Sequence, residues 1–219
     1  MTCNVIATGS SGNAVLLNEI VLVDCGVPFK TLQPYLRNLR LVLLTHRHGD
    51  HFKPETIRRI SQERPTVRFA CGPWMIEHLL QAGVPASRID VCEIGEGLCY
   101  GGDFTFEPFR LFHDVDNCGW KIGMDGERML YATDTGTMDG VEARGYDLYM
   151  IEANHTQAEI ENRIQRKLES GEFIYEYRAA VGHLSREKAD AWLAENAIPG
   201  KSKVVYLPGH KEEELSDAA

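Results

Sequence analysis

Four side chains of the types that bind divalent metal ions lie within six consecutive residues of the sequence. His46, His48, Asp50 and His51 directly follow the apolar run 41–44, which we interpret as a buried strand. Residues two apart on an extended chain point the same way, so His46 and His48 are predicted to bind one ion together. A turn at Gly49 would direct Asp50 and His51 toward a second ion. A solvated polar loop is the alternative, and the density of ligand types argues against it.

Three further candidate ligands stand where apolar runs end. His113 follows the run 104–112, Asp134 follows 129–133, and His183 precedes a predicted helix. Site residues are often held in this way at the ends of rigid elements. Taken singly, each has a simpler explanation: a surface histidine, or an aspartate in a turn, which suits Asp134 in Asp-Thr-Gly best. Taken together with the histidine loop, they predict one metal centre.

The seven candidates are enough for two ions. We expect a first ion on His46, His48 and His113, a second on Asp50, His51 and His183, and a bridge from Asp134. Two ions about 3.5–4 Å apart lower the pKa of a shared water to about 7 and clamp the attacking and leaving oxygens of a hydrolytic displacement. Because every donor is nitrogen or oxygen, zinc is the first expectation, with manganese and iron as alternatives.

Composition and charge narrow the class of protein. The net charge of −9 argues against nonspecific coating of nucleic acid, but it allows a nuclease, because bound cations change the local field. No apolar run approaches the ~18 residues that a membrane span needs, and the amino terminus lacks the pattern of a secretory signal. The six scattered cysteines form no CxxC pair and favour reduced thiols. We therefore expect a cytoplasmic protein without a membrane partner, and the oligomeric state stays open.

Two segments near the histidine loop have more than one interpretation. The small residues of TGSSGNA, 8–14, resemble a phosphate cradle but lack the lysine of a P-loop. A tight hairpin, or a close approach of this backbone to the metal site, explains them equally well. Asp24 follows an apolar strand, where it could brace a ligand histidine or cap a turn.

The apolar periodicity predicts an α/β fold. The order of elements indicates an αββα sandwich, with two mixed β-sheets flanked by helices, and no linker divides it, so we expect a single domain over 1–219. Predicted strands cover 5–9, 15–17, 20–23, 41–45, 67–71, 89–93, 104–111, 120–124, 128–132, 146–151 and 203–207, and predicted helices cover 29–38, 54–63, 73–81, 157–169 and 186–196.

The ordered set of THRHGDH, His113, Asp134 and His183 resembles the metallo-β-lactamase fold superfamily. Within it, the segments TGSSGNAVLL, LVDCG, ATDTG, EANHT and GHLS are similar to the YycJ/WalJ-type branch, which is related to tRNase Z. The resemblance implies phosphodiester hydrolysis, with nucleic acid as the expected substrate, through a metal-bridged hydroxide. Asp134 stands where zinc β-lactamases generally have a cysteine ligand. The chain lacks a β-CASP-sized insertion and a long basic arm.

The same resemblance implies where a proton donor lies. The EANHT segment is similar to one that supplies a general-acid system in tRNase Z-like enzymes, so Glu152 or His155 would protonate the leaving oxygen or orient the residue that does. His210 is expected to bind the scissile phosphate or donate a proton. A structural role is the alternative for either histidine. Ser185 would bind phosphate or cap the helix that begins at Arg186.

We therefore predict a dinuclear metal-dependent phosphodiesterase in which Asp50, Glu152, His155 and His210 take part in catalysis. A thioester, lactone or β-lactam hydrolase on the same scaffold is one alternative, because the small size and acidic charge favour a small substrate. A non-catalytic metal-binding module is the other, and the complete ligand set argues against it.

Overall fold

The computed structural model describes residues 1–102, 104–174 and 176–208. The chain forms two compact units, unit 1 at Met1–Pro108 and unit 2 at Phe109–Ala219. His210 lies outside the described residues. The single domain over 1–219 stays a prediction.

Unit 1 contains a mixed sheet of six strands in sequential order. The first three strands pair antiparallel and the remaining ones pair parallel, so the carboxyl ends of the third and fourth strands meet at one edge of the sheet. Asp24 and the histidine loop follow these two strands. The strands are β1 Cys3–Ala7, β2 Ala14–Leu17, β3 Val21–Val23, β4 Leu41–Leu44, β5 Arg68–Cys71 and β6 Ile89–Val91.

Three helices cover the apolar side of this sheet: α1 Phe29–Leu32, α2 Pro54–Glu63 and α3 Ile76–Gln81. Phe29 and Ile57 join Val42 and Phe69 in one buried cluster. Burial of this kind is the main favourable term in folding, at about 25 cal/mol per Å² of apolar surface.

The predicted helix 29–38 is wrong in its second half. After Leu32 the chain tightens into a 3₁₀ turn at Gln33–Tyr35, with Pro34 inside it. Proline has no N–H to donate and its ring crowds the carbonyl four residues earlier, so the α-helix stops there. The first strand is also displaced, because it covers Cys3–Ala7 where 5–9 was predicted.

The second sheet also has six strands, in the reverse order β12-β11-β10-β9-β8-β7, and the boundary between the units falls within β8. β10, β11 and β12 pair parallel, whereas β9 and β10 pair antiparallel, so this sheet is mixed as well. Asp134 after β10 and Asn154 after β11 therefore stand at the same edge. The strands are β7 Leu98–Cys99, β8 Thr105–Phe112, β9 Asp116–Met124, β10 Glu127–Ala132, β11 Leu148–Ala153 and β12 Lys203–Pro208.

The described part of unit 2 carries three helices: α4 Gln157–Ser170, α5 Glu176–Gly182 and α6 Arg186–Asn196. A capping box begins α4, in which Thr156 and Glu159 satisfy each other's backbone N–H groups, and Gly171 ends it in the left-handed region at φ 74°. Leu193 of α6 packs with Tyr149 and Ile151 of β11. The sequence prediction missed α5, which has only seven residues.

The expectation of reduced cysteines agrees with the structure. All six cysteines lie among the described residues and are free thiols. Burial raises the pKa of Cys71 to about 12 and that of Cys92 to about 11, so neither thiol ionises readily at neutral pH.

Candidate metal centre

The histidine loop of unit 1 brings three imidazoles together directly after β4. His46 and His51 are buried, and their ring centroids are 4.3 Å apart. His46 Nε2 lies 3.2 Å from His48 Nδ1. Ring nitrogens that converge in this way form a donor set for a divalent cation. The predicted convergence of His46 and His48 is therefore present in unit 1.

A buried carboxylate holds the third imidazole. Asp24 Oδ2 lies 2.7 Å from His51 Nδ1, and Oδ1 accepts a hydrogen bond from the backbone N–H of Thr45 at 3.0 Å. Because Asp24 occupies Nδ1 of His51, Nε2 is the ring nitrogen left for a metal ion, and Asp50 Oδ2 lies 3.6 Å from it. Bracing by Asp24 was one of the two roles that the sequence allowed.

The shape of the loop depends on two residues from neighbouring segments. Asn13 donates its backbone N–H to the Asp50 carbonyl at 2.6 Å, and its amide nitrogen lies 2.8 Å from His51 Nε2. A Cβ atom on Gly26 would stand 1.7 Å from the Asp50 carbonyl oxygen. The close approach of the TGSSGNA segment to the loop is thereby confirmed. Gly49 faces open space, so no close contact requires glycine at that turn.

Unit 2 holds a second group of metal-ligand types. Ligand atoms of His113, Asp134 and His183 all lie within 4.8 Å of one another. The His113 and His183 rings are 5.2 Å apart, and His183 Nδ1 is 3.4 Å from Asp134 Oδ1. These residues follow β8, β10 and α5, so three separate elements meet here. Imidazole and carboxylate donors at these separations suit a divalent metal.

Glu152 lies behind His183 and shapes the whole group. Its Oε1 is 2.6 Å from His183 Nδ1, and its Oε2 accepts the backbone N–H groups of Thr135 at 3.0 Å and Leu184 at 3.1 Å. Glu152 is buried. It therefore fixes the ring of His183 and the backbone on the carboxyl side of Asp134 at the same time. Asp24 in unit 1 and Glu152 in unit 2 make the same kind of contact, a buried carboxylate oxygen on the Nδ1 atom of a histidine.

The surroundings of the two histidines in this unit 2 group move their pKa values in opposite directions. Burial lowers the pKa of His113, and the nearby Asp134 only partly opposes this. Burial also disfavours the charged form of His183, but hydrogen bonds to Asp134 and Glu152 outweigh it and raise its pKa to about 10. The field at His183 therefore favours a cation strongly, and either a proton or a metal ion meets that need.

One positioning residue had no signal in the sequence. The buried side chain of Asn117, in β9, donates to the carbonyls of Thr133 at 3.1 Å and Asp134 at 2.8 Å. Asp134 has φ 53°, a left-handed conformation that costs a non-glycine residue energy. The two hydrogen bonds offset this cost and hold Asp134 in place.

The segment after β11 places the remaining candidates. His155 is buried, and its Nδ1 lies 3.4 Å from Asn154 Oδ1. The Asn154 amide in turn donates to Glu152 at 3.4 Å, so a chain of contacts leads from His155 to His183. Burial lowers the pKa of His155, and the charge of Glu152 partly opposes this. Ser185 caps α6 by accepting the Lys188 N–H at 3.3 Å, as one of its two predicted roles requires.

The family follows from a match over most of the chain. Residues 20–206 match the beta-lactamase superfamily domain. The chain belongs to this superfamily. In an alignment 223 positions long it is 25% identical to exodeoxyribonuclease YycJ of Bacillus anthracis, and the alignment covers 93% of this chain and 80% of that relative. The predicted resemblance to the YycJ-type branch of the superfamily is confirmed.

Two solved structures share the fold of this chain. The crystal structure of the metallo-beta-lactamase fold protein YhfI from Bacillus subtilis matches with a TM-score of 0.71 and 19% identity, over 95% of this chain and 86% of that one. Human tRNase Z, short form, matches with a TM-score of 0.70 and 17% identity, over 98% of this chain and 94% of that one. The predicted fold, two mixed sheets flanked by helices, is confirmed. None of the described helices is long and apolar enough to cross a bilayer.

Proposed function

We propose that this protein is a dinuclear metal-dependent phosphodiesterase, a nuclease that acts on DNA or RNA. One observation carries the proposal: a buried carboxylate fixes a histidine through Nδ1 in each unit, Asp24 on His51 at 2.7 Å and Glu152 on His183 at 2.6 Å. Carboxylate–histidine pairs of this kind accompany metal sites, because they set the tautomer that leaves Nε2 for the ion. The similarity to exodeoxyribonuclease YycJ supports nucleic acid as the substrate.

The donor sets suit a pair of borderline or hard divalent cations, and we infer zinc as the native metal, with manganese and iron as alternatives. When bound, the ions supply Lewis-acid activation of water and of the scissile phosphate. The residues that we infer to hold them are His46, His48, Asp50, His51, His113, Asp134 and His183.

The side chains of the protein then have separate tasks. Asp24 and Glu152 keep His51 and His183 in the ligating tautomer, and Asn117 keeps Asp134 in its strained conformation. His155 is buried at the edge of the unit 2 group and is the residue that we infer to protonate the leaving oxygen. We infer that Glu152 contributes by orientation, because both of its oxygens already accept hydrogen bonds. The proton or phosphate role of His210 stays a prediction.

The decisive experiment pairs metal analysis with a substrate panel. Purified protein is expected to contain two equivalents of metal and to cleave labelled DNA or RNA as well as bis-p-nitrophenyl phosphate. Asp50→Ala is expected to abolish cleavage while the protein stays folded, since the Asp50 side chain is partly exposed and lies outside the buried core. Cleavage at the wild-type rate by Asp50→Ala would contradict the mechanism.

The panel also separates this proposal from the alternatives. Single- and double-stranded DNA and RNA distinguish the polymers, and nitrocefin with simple thioesters and lactones tests a small-molecule hydrolase. Turnover of nitrocefin or a thioester with no diester cleavage would replace the nuclease by that activity. A metal-loaded protein inert toward every compound would indicate a binding module.

A further inference from the structure

The most exposed large apolar side chains of the described residues all belong to unit 2. Elsewhere in the described chain, no large apolar side chain is more than 46% exposed. The five that exceed this are Phe112 at 51%, Leu168 at 56%, Phe173 at 78%, Tyr177 at 55% and Val181 at 77%. Contiguous exposed apolar surface marks an interaction site more often than scattered single residues do.

These side chains adjoin the metal-ligand group. Phe112 directly precedes His113, and Val181 stands two residues before His183. Gly136 links them, since its N–H donates to the Phe112 carbonyl at 2.9 Å and its missing Cβ would stand 2.0 Å from the Val181 carbonyl oxygen. The exposed apolar surface therefore begins at the ligands themselves.

The helix α5 continues this surface away from the ligands. Tyr177 and Val181 are four residues apart, so they share one side of α5. Phe173 precedes the helix. We call these three side chains the α5 face.

Specific contacts hold the α5 face in place. Lys167 of α4 forms an ion pair at 2.7 Å with Glu176, which is buried at the start of α5. At the other end, the backbone N–H of His183 donates to the Ala179 carbonyl at 3.0 Å. Exposed aromatic rings on a fixed support lose little freedom when a ligand stacks on them.

Two cations accompany the exposed rings. Arg110 is exposed on β8, two residues before Phe112 and on the same side of that strand. Arg178 is exposed between Tyr177 and Val181. Across the parts of the chain that the structure describes, neither guanidinium has a hydrogen bond or an ion pair. Rings for bases and guanidinium groups for phosphates are the combination that single-stranded nucleic acid needs.

We propose that the α5 face, with Phe112, Arg110 and Arg178, binds the single-stranded part of a nucleic acid substrate, whose bases stack on Phe173 and Tyr177. This inference rests on the proposed nuclease function, and it specifies the form of the substrate. In a duplex the base faces are stacked on each other, so they are closed to these rings. Because the surface begins at His113 and His183, a bound strand runs from the α5 face toward the metal ligands.

Direct binding tests the proposal without relying on cleavage. The probe is a fluorescein-labelled phosphorothioate oligothymidylate of about 20 nucleotides, which resists hydrolysis, and fluorescence anisotropy reports its binding to the full-length, metal-loaded protein. Phe173→Ala and Tyr177→Ala are each expected to weaken binding roughly tenfold. Tyr177→Phe keeps the ring and is expected to bind like wild type. Leu80→Ala removes an apolar side chain of similar exposure from α3, at 46%, and serves as the matched control.

Measurements of diester hydrolysis, duplex binding and oligomeric state show how the binding result should be interpreted. Hydrolysis of bis-p-nitrophenyl phosphate is expected to stay at the wild-type rate in all four variants, because none of them changes a candidate metal ligand and this diester has no nucleobases to stack on the rings. Unchanged oligonucleotide binding by both alanine variants would overturn the proposal. So would an equal loss for a blunt duplex, or a change in oligomeric state on size exclusion, which would make the face a contact between copies. If the alanine variants bind the oligonucleotide more weakly but the protein cleaves no diester, the binding role of the α5 face is supported and only the proposed reaction is overturned.

Discussion

Asp24 Oδ2 lies 2.7 Å from His51 Nδ1, and both side chains are buried. We predict that Asp24→Asn lowers metal affinity ten- to a hundredfold, the usual effect of losing such a carboxylate. The asparagine amide would donate to Nδ1, which moves the ring proton to Nε2 and blocks the ligating nitrogen. Asparagine also tolerates the left-handed φ of 60° at this position better than most residues do. Competition with a chromophoric chelator measures the effect.

The control for Asp24→Asn is a second carboxylate of unit 1 that lies away from the histidine loop. Asp90 accepts a hydrogen bond from Arg68 Nε at 2.7 Å and, within the described part of the chain, is paired with none of the histidines of the loop. Asp90→Asn is expected to cost some stability and leave chelator competition unchanged. If Asp24→Asn and wild type compete equally with the chelator, the bracing role of Asp24 is wrong.

Glu152→Gln tests the matching contact in unit 2. The glutamine oxygen can still accept the N–H groups of Thr135 and Leu184, but its amide would face His183 Nδ1 and impose the wrong tautomer. We predict loss of metal and a ten- to a hundredfold drop in activity toward every diester. Metal content and the visible spectrum of the cobalt-substituted protein report the change. A variant that keeps both metals and fails only on DNA would instead identify Glu152 as a proton donor.

The grouping of His46, His48 and His51 was predictable because these residues lie within six positions of the sequence, and their spacing alone sets their direction on an extended chain. His113, Asp134 and His183 were predictable from their places at the ends of apolar runs. Asp24 and Glu152 could be suspected from sequence, but their partners lie 27 and 31 residues away. The parallel pairing of β3 and β4 brings Asp24 to His51, and a single bridge between the segments after β11 and after α5 brings Glu152 to His183. Asn117 gave no signal, because an asparagine that holds a carbonyl looks like any other polar residue of a strand.

The errors in the secondary structure predicted from the sequence also have specific causes. Pro34 lies in the 3₁₀ turn where the predicted first helix breaks, and its effect was visible in the sequence. Helix α5 is too short for apolar periodicity to emerge, and its exposed Tyr177 and Val181 do not form the inward stripe that periodicity detects. The same exposure that hid this helix from the pattern is what makes its surface available for binding.

Two glycines beside the histidine loop provide a matched pair. A Cβ at Gly26 would stand 1.7 Å from the Asp50 carbonyl oxygen, whereas a Cβ at Gly49 meets nothing within 4 Å. We predict that Gly26→Ala displaces the loop, lowers the free energy of unfolding by about 1–3 kcal/mol and weakens metal binding. Gly49→Ala is expected to stay within about 0.5 kcal/mol of wild type. Urea unfolding in EDTA measures stability separately from the metal. Equal behaviour of the two variants would contradict this account of the loop.

Substrates with different leaving groups test whether His155 donates a proton. p-Nitrophenolate leaves without a proton, whereas the alkoxide released from DNA needs one, so a proton donor matters only for the second reaction. We predict that His155→Gln slows DNA cleavage by about 10²–10⁴ and leaves bis-p-nitrophenyl phosphate hydrolysis near the wild-type rate. Because burial lowers the pKa of His155, its protonated fraction falls at a lower pH than that of an ordinary histidine, so DNA cleavage should decline as the pH rises on the acid side of neutrality. Equal losses on both substrates would mean that the His155 ring supports the structure of the site instead, through its contact with Asn154.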